Sequence, residues 1–535
     1  MAGLPLGIEL AAARTRTYRP QPLLSLLRTR PFVVDGTPDP NNPKGTLHGT
    51  IEWSYDLLTP EAQVLLTWLS VFPSGFGFDV PAAGDNHPSD LDSLQELWGA
   101  VVDAQPQQGV NASREPHETL DELVRNSLVR RVDGTGDEGD RYSLLDPIRS
   151  FALERLGPMR DKAKRFQAQY CLKVAHQADA KIGKDDTAVG VRRLGAERPN
   201  MAAALEWFRD TGGRDSELKL CIELSDFWIL EGDWAEGGSA LAGVLGDETI
   251  GEPLQRAIAF NRAGGLARNR ADFETARESY ITALEIGQSY EAAHSEEADG
   301  GDLHALQDAL WNQGYALNGL GRIEMALGNS RQARDWFMRA LAVRRRMGRK
   351  PAIAITLTNL GDLDLAERRL KRAAARFERA HRLRHAKHPG LSDAPGLAIS
   401  HLKIGVLCMQ CGKLDDATVW MRDALKRFDA LGYRDWTART LESLAQLAAC
   451  KKDHEAASVL WQAAAALDET LGTRKSAYEL GRDRALREEL ERETPTNLSS
   501  TAAANAALSP TMAYTYAMLR PAVSRLITLP CQDQH

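Results

Sequence analysis

The sequence predicts a mainly α-helical chain: a compact helical unit with one β-hairpin, then a long array of helical hairpins. Three observations carry this. A four-residue pattern of small and large side chains recurs five times between residues 264 and 464. Helical patterns in the first third end in two short strand-like runs around a Gly-rich turn. With 535 residues, 43% apolar and 26% charged, the chain has the composition of several folded globular units, neither disordered nor membrane-embedded.

Residues 1–45 start apolar, from Met1 to Ala13, but Glu9 sits in that stretch and no basic region precedes it, so a secretory signal is not expected. Residues 46–157 read differently. Ile51, Trp53, Tyr55, Leu57 and Leu58 precede Thr59-Pro60-Glu61, which has the chemistry of a helix start. Thr59 is the N-cap, Pro60 the first helical residue, and Glu61 lies on the positive end of the dipole. Val64, Leu65, Trp68 and Leu69 give that helix its apolar residues. A further helix carries Leu120, Leu123 and Val124. Leu128 to Val132, the turn Gly134-Thr135-Gly136, and Arg141 to Leu144 read as a hairpin. Helices followed by a hairpin wing make a winged helix-turn-helix.

This unit carries 19 acids and 7 bases, while the whole chain is only −7. Its expected recognition helix shows Glu118, Asp121 and Glu122 against Arg125, and its wing loop Asp133, Asp137, Glu138 and Asp140. Duplex DNA would repel both, since phosphate contacts supply most non-specific affinity. Protein docking or regulation is the expected role.

Residues 158–247 form a helical lead-in, with a helix at Asn200 to Phe208 and a degenerate hairpin at Asp226 to Leu245 around Trp228 and Trp234. Residues 248–475 hold the array. The template is a small residue followed by Ala, a large residue and Ala at offsets 12, 16 and 19. The sets are Gly264, Ala276, Tyr280, Ala283; Gly321, Ala333, Phe337, Ala340; Gly361, Ala373, Phe377, Ala380; Gly405, Ala417, Met421, Ala424; and Ala445, Ala457, Trp461, Ala464. Small residues let paired helices approach, and the large one is expected to fill the groove made by the next hairpin. Spacings are 57, 40, 44 and 40, and a loop at Glu291 to Asp302 is expected to absorb the excess in the first. Such an array forms a superhelix whose concave surface holds partners. Asn318, Arg322, Thr358, Asp362 and Met409 are the candidate lining residues.

Residues 339–388 carry 15 bases and 4 acids. Arg369, Arg372, Arg376 and Arg379 have the spacing of one helical stripe. It is either a solvated outer face or a docking site for an acidic partner, with the winged helix of the same chain as a candidate. His381, His385 and His388 alternate with arginines and read as a solvated face. Cys408-Met409-Gln410-Cys411 lies on a helix and reads as packing. Six scattered cysteines give no disulfide framework and fit a reducing cytoplasm. Residues 476–535 are expected to be a helix and flexible tail. Its apolar run Met512 to Pro530 contains Arg520, Pro521 and Arg525, which oppose a membrane span.

The hairpins resemble tetratricopeptide repeats, as in Leu357-Thr358-Asn359-Leu360-Gly361, with spacings longer than the usual ~34 residues. The motif order Gly3-Leu4-Pro5-Leu6, Glu9 to Arg14, Thr50 to Leu58, Leu69 to Phe72 and Arg141 to Asp146 resembles the signal-transduction ATPases with numerous domains (STAND), in particular LuxR-like and SARP-like bacterial regulators. The resemblance implies that Pro5 lies near adenine in a complete nucleotide site. A related family, the NB-ARC ATPases, senses phosphates through a Met-His-Asp motif. Its positions here read Leu144-Leu145-Asp146, so Asp146 is either a remnant of that motif or the N-cap of the following helix.

A P-loop needs a Gly-rich turn followed by Lys-Ser/Thr. The nearest segment, Pro43-Lys44-Gly45-Thr46, has neither the order nor the upstream glycine, and no Walker B segment is recognised. The chain is therefore expected to be no enzyme by itself, with no metal or cofactor. ATP or ADP would enter only with a separately supplied nucleotide-binding core. The expected function is the sensor and scaffold part of a STAND-type transcriptional regulator. Its repeats would bind proteins or a small inducer, with oligomerisation possible only in a complete regulator. The alternative is a stand-alone tetratricopeptide scaffold with a relic winged helix.

Overall fold

The computed structural model describes residues 47–77, 91–104, 114–132, 141–294, 302–385 and 393–471. Pro5, the wing-loop acids Asp133, Asp137, Glu138 and Asp140, His388 and the tail fall outside them. The chain divides into two compact units, one running to residue 174 and including 195–213, the other comprising 175–194 and the chain from 214.

The first unit contains α1 (Leu47–Asp56), α2 (Pro60–Leu69), β1 (Phe76–Gly77), α3 (Leu91–Ala104), α4 (Pro116–Arg125), β2 (Arg130–Val132), β3 (Arg141–Ser143) and α5 (Asp146–Arg155). Helix α2 is its centre: Leu65, Leu66, Trp68 and Leu69 are almost wholly buried. The expected hairpin is present, with Arg131 opposite Tyr142. A third strand, β1, adds to it with Phe76 opposite Tyr142, giving the order β1-β3-β2. Sequence reasoning missed β1 because two residues leave no alternation to read. Its approach depends on Gly75, at φ +77°, where a Cβ would lie 2.2 Å from the Tyr142 carbonyl oxygen.

Thr59 caps α2 as expected, its side chain accepting from the Ala62 N–H. Glu122 on α4 reinforces that cap. Its carboxylate accepts from the Thr59 N–H and hydroxyl, both at 2.9 Å, and from Arg114 at 2.6 Å. This corrects the reading of Glu122 as part of an outward acidic face: it faces α2, while Glu118 and Asp121 are exposed. Burial pushes the Glu122 carboxyl up, but the bonds from Thr59 and Arg114 prevail and hold it below its ordinary value. A depressed carboxylate stabilises the fold above its unfolded pKa, and that contribution is lost as pH falls through the folded value. Glu122→Ala is expected to lower the stability of this unit by about 1.5–3 kcal/mol, the range for hydrogen bonds to a charged group. Urea unfolding at pH 7 measures it, and the deficit should shrink below pH 4.

Helices α6 (Arg160–Asp179) and α7 (Thr187–Asp210) follow. The division between units falls within them, not at residue 157. Polar bonds hold the relevant segments to the first unit. Asn200 Nδ2 donates to the Gly75 carbonyl at 2.8 Å, Gln167 Nε2 to the Asn200 carbonyl at 2.8 Å, and the Tyr170 hydroxyl to the Gly77 carbonyl at 3.2 Å.

The second unit continues through α8 (Arg214–Glu231) and α9 (Trp234–Leu245) to five hairpins. These are α10 (Pro253–Asn269) with α11 (Phe273–His294), α12 (Asp302–Ala326) with α13 (Ser330–Met347), α14 (Lys350–Ala366) with α15 (Leu370–His385), α16 (Ala394–Gln410) with α17 (Leu414–Leu431), and α18 (Arg434–Cys450) with α19 (His454–Leu471). The template fits them. Every template alanine is buried, as are Tyr280, Phe337, Phe377 and Met421. The large residue, however, packs first on the small residue of its own hairpin. A Cβ at Gly321 would sit 2.5 Å from Phe337, one at Gly361 2.4 Å from Phe377, and one at Gly405 2.6 Å from Met421. Tyr280 also meets the next hairpin, where a Cβ at Gly319 would lie 2.4 Å away, and Phe337, Phe377 and Met421 share core clusters with residues of the hairpin that follows each. The lead-in pair α8–α9 reverses the arrangement, with Trp228 on the first helix against Gly237 on the second.

Each hairpin turns through one left-handed residue, seven positions after the small one: Ala271, Gly328, Arg368, Gly412 and Lys452. Glycine occupies only two of the five, which hides the turn from a sequence reading. The 57-residue spacing is only partly a loop. Residues 291–294 are the end of α11 and Asp302 begins α12, and these helices run 22 and 25 residues, against 16 to 18 in α13 to α19.

Candidate functional site

The superhelix of the second unit returns on itself. Arg434 Nη1 at the start of α18 lies 3.8 Å from Glu231 Oε2 at the end of α8. The Tyr433 hydroxyl is hydrogen-bonded with Thr187, and a Cβ on Gly432 would stand 3.6 Å from the Ala188 Cβ. The first helices of the hairpins pack against one another along the inner face of this superhelix, its lumen, and residues far apart in sequence meet there.

Three arginines converge in it: Arg268 on α10, Arg322 on α12 and Arg439 on α18. The positive charge of Arg268, then burial, then Arg439 push the Arg322 guanidinium down to about 9. A guanidinium stays protonated at neutral pH, so the depression expresses like-charge repulsion held inside the fold. Asp435 on α18 faces the same three arginines, and burial raises its carboxyl against their pull. Arg268 is hydrogen-bonded to Tyr280, whose hydroxyl burial pushes up. The Tyr280 and Tyr315 rings lie 6.4 Å apart. Beside them Arg262 pairs with Asp226 at 2.6 Å. Burial, with the Asp226 carboxylate, raises Asp179 to about 7.

The expected lining residues divide. Arg322 is in the arginine group. Asp362 is ion-paired with Lys403 at 2.9 Å on the adjacent first helix. Asn318 and Thr358 are only 5% and 4% exposed. They belong to polar networks between helices: Asn318 with Thr356, Asn359 and Arg344, and Thr358 accepting from Arg384 at 3.1 Å. Met409 is half-buried against the last hairpin's core.

Of the arginine stripe, Arg372, Arg376 and Arg379 lie on α15 and Arg369 immediately precedes it. Arg369, Arg372 and Arg379 are exposed, and Arg369 pairs with Glu367 at 2.9 Å. Arg376 turns inward to the buried Asp364. Asp146 is the first residue of α5, whose N-cap is Leu145, so the capping assignment is corrected by one residue. Its carboxylate is 91% exposed, 3.8 Å from Arg149. Sequence reasoning missed Arg268, Arg439, Asp435, Tyr280 and Tyr315 as one group, because they share no template offset and superhelical closure brings them together.

His381 corrects the reading of a solvated histidine face. Its ring lies 5.2 Å from His401 and 5.8 Å from Trp420, and its Nδ1 is buried without a partner. Burial, then His401, His385, Arg384 and Arg382, push it down to about 4. His401 is itself lowered by burial despite its bond to Asp423. A histidine depressed in the fold favours folding while neutral, so stability falls as pH drops from about 6.5 towards 4. The melting transition of the second unit should fall over that range, and His381→Gln should flatten the slope.

Among the described residues no group of three metal-ligating side chains occurs. No helix among them is long and apolar enough to cross a membrane.

A tetratricopeptide-repeat family model matches residues 313–385, from within α12 to the end of α15. The chain is 30% identical over 251 residues to proteins of Mycobacterium tuberculosis and Mycobacterium bovis that carry the name HTH-type transcriptional regulator. The match covers 46% of this chain and 25% of those proteins. An uncharacterised Mycobacterium tuberculosis protein is 34% identical over 155 residues, 29% of this chain and 34% of its own length. Among solved structures, a STAND protein with a tetratricopeptide repeat sensor from Pyrococcus horikoshii aligns over 91% of this chain and 72% of its own, at 14% identity and a TM-score of 0.41. The apo form of RapI aligns over 75% of this chain and 98% of its own, at 11% identity and a TM-score of 0.37.

Proposed function

We propose that this chain, which carries tetratricopeptide repeats and spans about a quarter of the length of the HTH-type transcriptional regulators it matches, is the sensor and scaffold part of a STAND-type transcriptional regulator. The repeat unit recognises a protein partner or small inducer in its lumen, and the winged helix serves regulation and not DNA reading. The chain is cytoplasmic and is no enzyme by itself. ATP or ADP belongs to a nucleotide-binding core supplied separately.

The observation that carries the reading is the lumen itself. Its inner helices present arginines, tyrosines and a carboxylate to one another, the polar chemistry of a concave recognition surface. The winged helix supports the other half of the reading. Glu118 and Asp121 are exposed on α4, and they oppose approach to phosphates.

Calorimetry of the full chain tests this, because two compact units give separable transitions. Low-molecular-weight and protein fractions of the source cytosol are added separately, and duplex DNA from the source genome in a third run at physiological salt. One cytosolic fraction should raise the transition of the repeat unit, and DNA should raise neither. A DNA-dependent rise of the first unit, or no response to either fraction, would overturn the proposal.

A further inference from the structure

A groove separate from the lumen opens between α9, α10 and α11. Its volume is about 400 Å³, within the range of about 300–1,000 Å³ common to small-molecule sites. Helices α9 and α11 each pack on α10. Small residues leave the space: Gly238 and Ala242 on α9, Gly246 at its end, and Ala263 and Ala267 on α10. Phe260, Ala263 and Ala267 share one face of α10 by their spacing of three and four. Gly265, on the opposite face, meets Ile229 of α8 and Tyr315 of α12. The groove therefore lies away from the inner face of the superhelix.

Its two ends differ in chemistry. Leu245 and Phe260 line one of them. There the Leu245 carbonyl accepts from Arg256 at 3.3 Å, and the Arg256 guanidinium stands 5.6 Å from the centre of the Phe260 ring. Arg256 is held by protein acceptors, since it also donates to the Asp247 and Ile250 carbonyls at 2.7 and 2.9 Å. Arg270 lines the other end, about 15 Å further along at the rise of a helix. A Cβ on Gly238 would stand 3.4 Å from Arg270 Nη1, so the guanidinium reaches α9 across the groove. Arg270 is half-buried, and among the described residues its side chain has no ion pair or hydrogen bond. Asp272 stands at the same end without pairing with Arg270, and its carboxylate accepts from the Thr275 N–H at 3.3 Å in the first turn of α11.

We propose that this groove binds a small monocarboxylate with an apolar body, its carboxylate on Arg270 and its body along Ala263 towards Phe260 and Leu245. A guanidinium fork with no protein acceptor matches a carboxylate in both charge and geometry. The apolar end and the small residues of both walls give the body surface to cover. Asp272 selects against a second negative group, because a dianion would bring like charges together. An occupant bridges α9 to α10 and α11, joining the lead-in pair to the first repeat. The site goes beyond the lumen reading and does not rest on it.

The test uses the full chain at constant ionic strength, with octanoate, 1-octanol, octylammonium and acetate as probes, read by calorimetry and titration. Octanoate should bind and raise the repeat-unit transition. Octanol and octylammonium should bind about tenfold or more weakly, as expected for loss of a charged hydrogen-bonded pair, and acetate should give no shift. Arg270→Gln should weaken octanoate binding by about the same factor and leave octanol binding and the melting temperature of the ligand-free chain unchanged. Ala263→Phe fills the middle of the groove and should remove binding of octanoate and octanol alike. Absence of octanoate binding in the wild type would overturn the site. So would binding within about twofold of the wild type in either variant, or octanol or octylammonium binding as tightly as octanoate. The lumen reading is untouched by any of these results.

Discussion

Phe377→Ala lowers the stability of the repeat unit by about 3–5 kcal/mol, the range for truncating a buried phenylalanine. Phe377 is 1% exposed and its ring lies against Gly361, where a Cβ would stand 2.4 Å from it. Truncation leaves a cavity that neighbouring backbone cannot fill, because the glycine offers no side chain to move inward. The reciprocal change, Gly361→Leu, places atoms where the Phe377 ring already is, and overpacking of that kind costs about 1–3 kcal/mol. Combining Gly361→Ala with Phe377→Leu should recover part of each loss, since the residues are in contact and their effects are not additive. Urea unfolding monitored on the second unit measures all three. Losses below about 1 kcal/mol for Phe377→Ala would show that the glycine–aromatic pair is not what holds the hairpin together.

The second large effect is expected at Asp364, on α14. Its side chain is fully buried and meets Arg334 from α13 at 2.9 Å and Arg376 from α15. Three consecutive helices are joined through one carboxylate. Asp364→Ala leaves Arg334 with Glu367 as its acidic partner and Arg376 with the Leu360 carbonyl. Breaking a buried pair by removing one member costs about 3–5 kcal/mol. The lower end applies, because both arginines keep some access to water, at 25% and 24% exposure. Arg376→Met should cost less, since it removes an arginine that reaches solvent and leaves Asp364 paired. If the two substitutions cost the same, the carboxylate is not the hub.

The fold was legible where a chemical constraint repeats. Gly321 with Phe337, and Gly361 with Phe377, recur at one offset because close helix packing imposes it. The cap at Thr59 was legible because its chemistry is local. What was not legible depends on distant chain segments. Glu122 reads as a surface acid until α4 is laid against Thr59. Asn318 and Thr358 read as lining residues, yet they hydrogen-bond between helices. His381 reads as solvated until Trp420 and His401 cover it. The arginine group is the extreme case. Arg268 and Arg439 are separated by most of the array, and only the return of α18 towards α8 brings them together.

The central claim is that recognition occurs in the lumen of the repeat unit and not on the winged helix. Hydrogen exchange on the full chain, with and without the cytosolic fraction that raises its melting transition, tests this directly. Protection should appear in peptides from α10, α12 and α18, around Arg268, Arg322 and Arg439, with α4 and the β2–β3 hairpin unchanged. Protection confined to α4 and that hairpin would contradict the account.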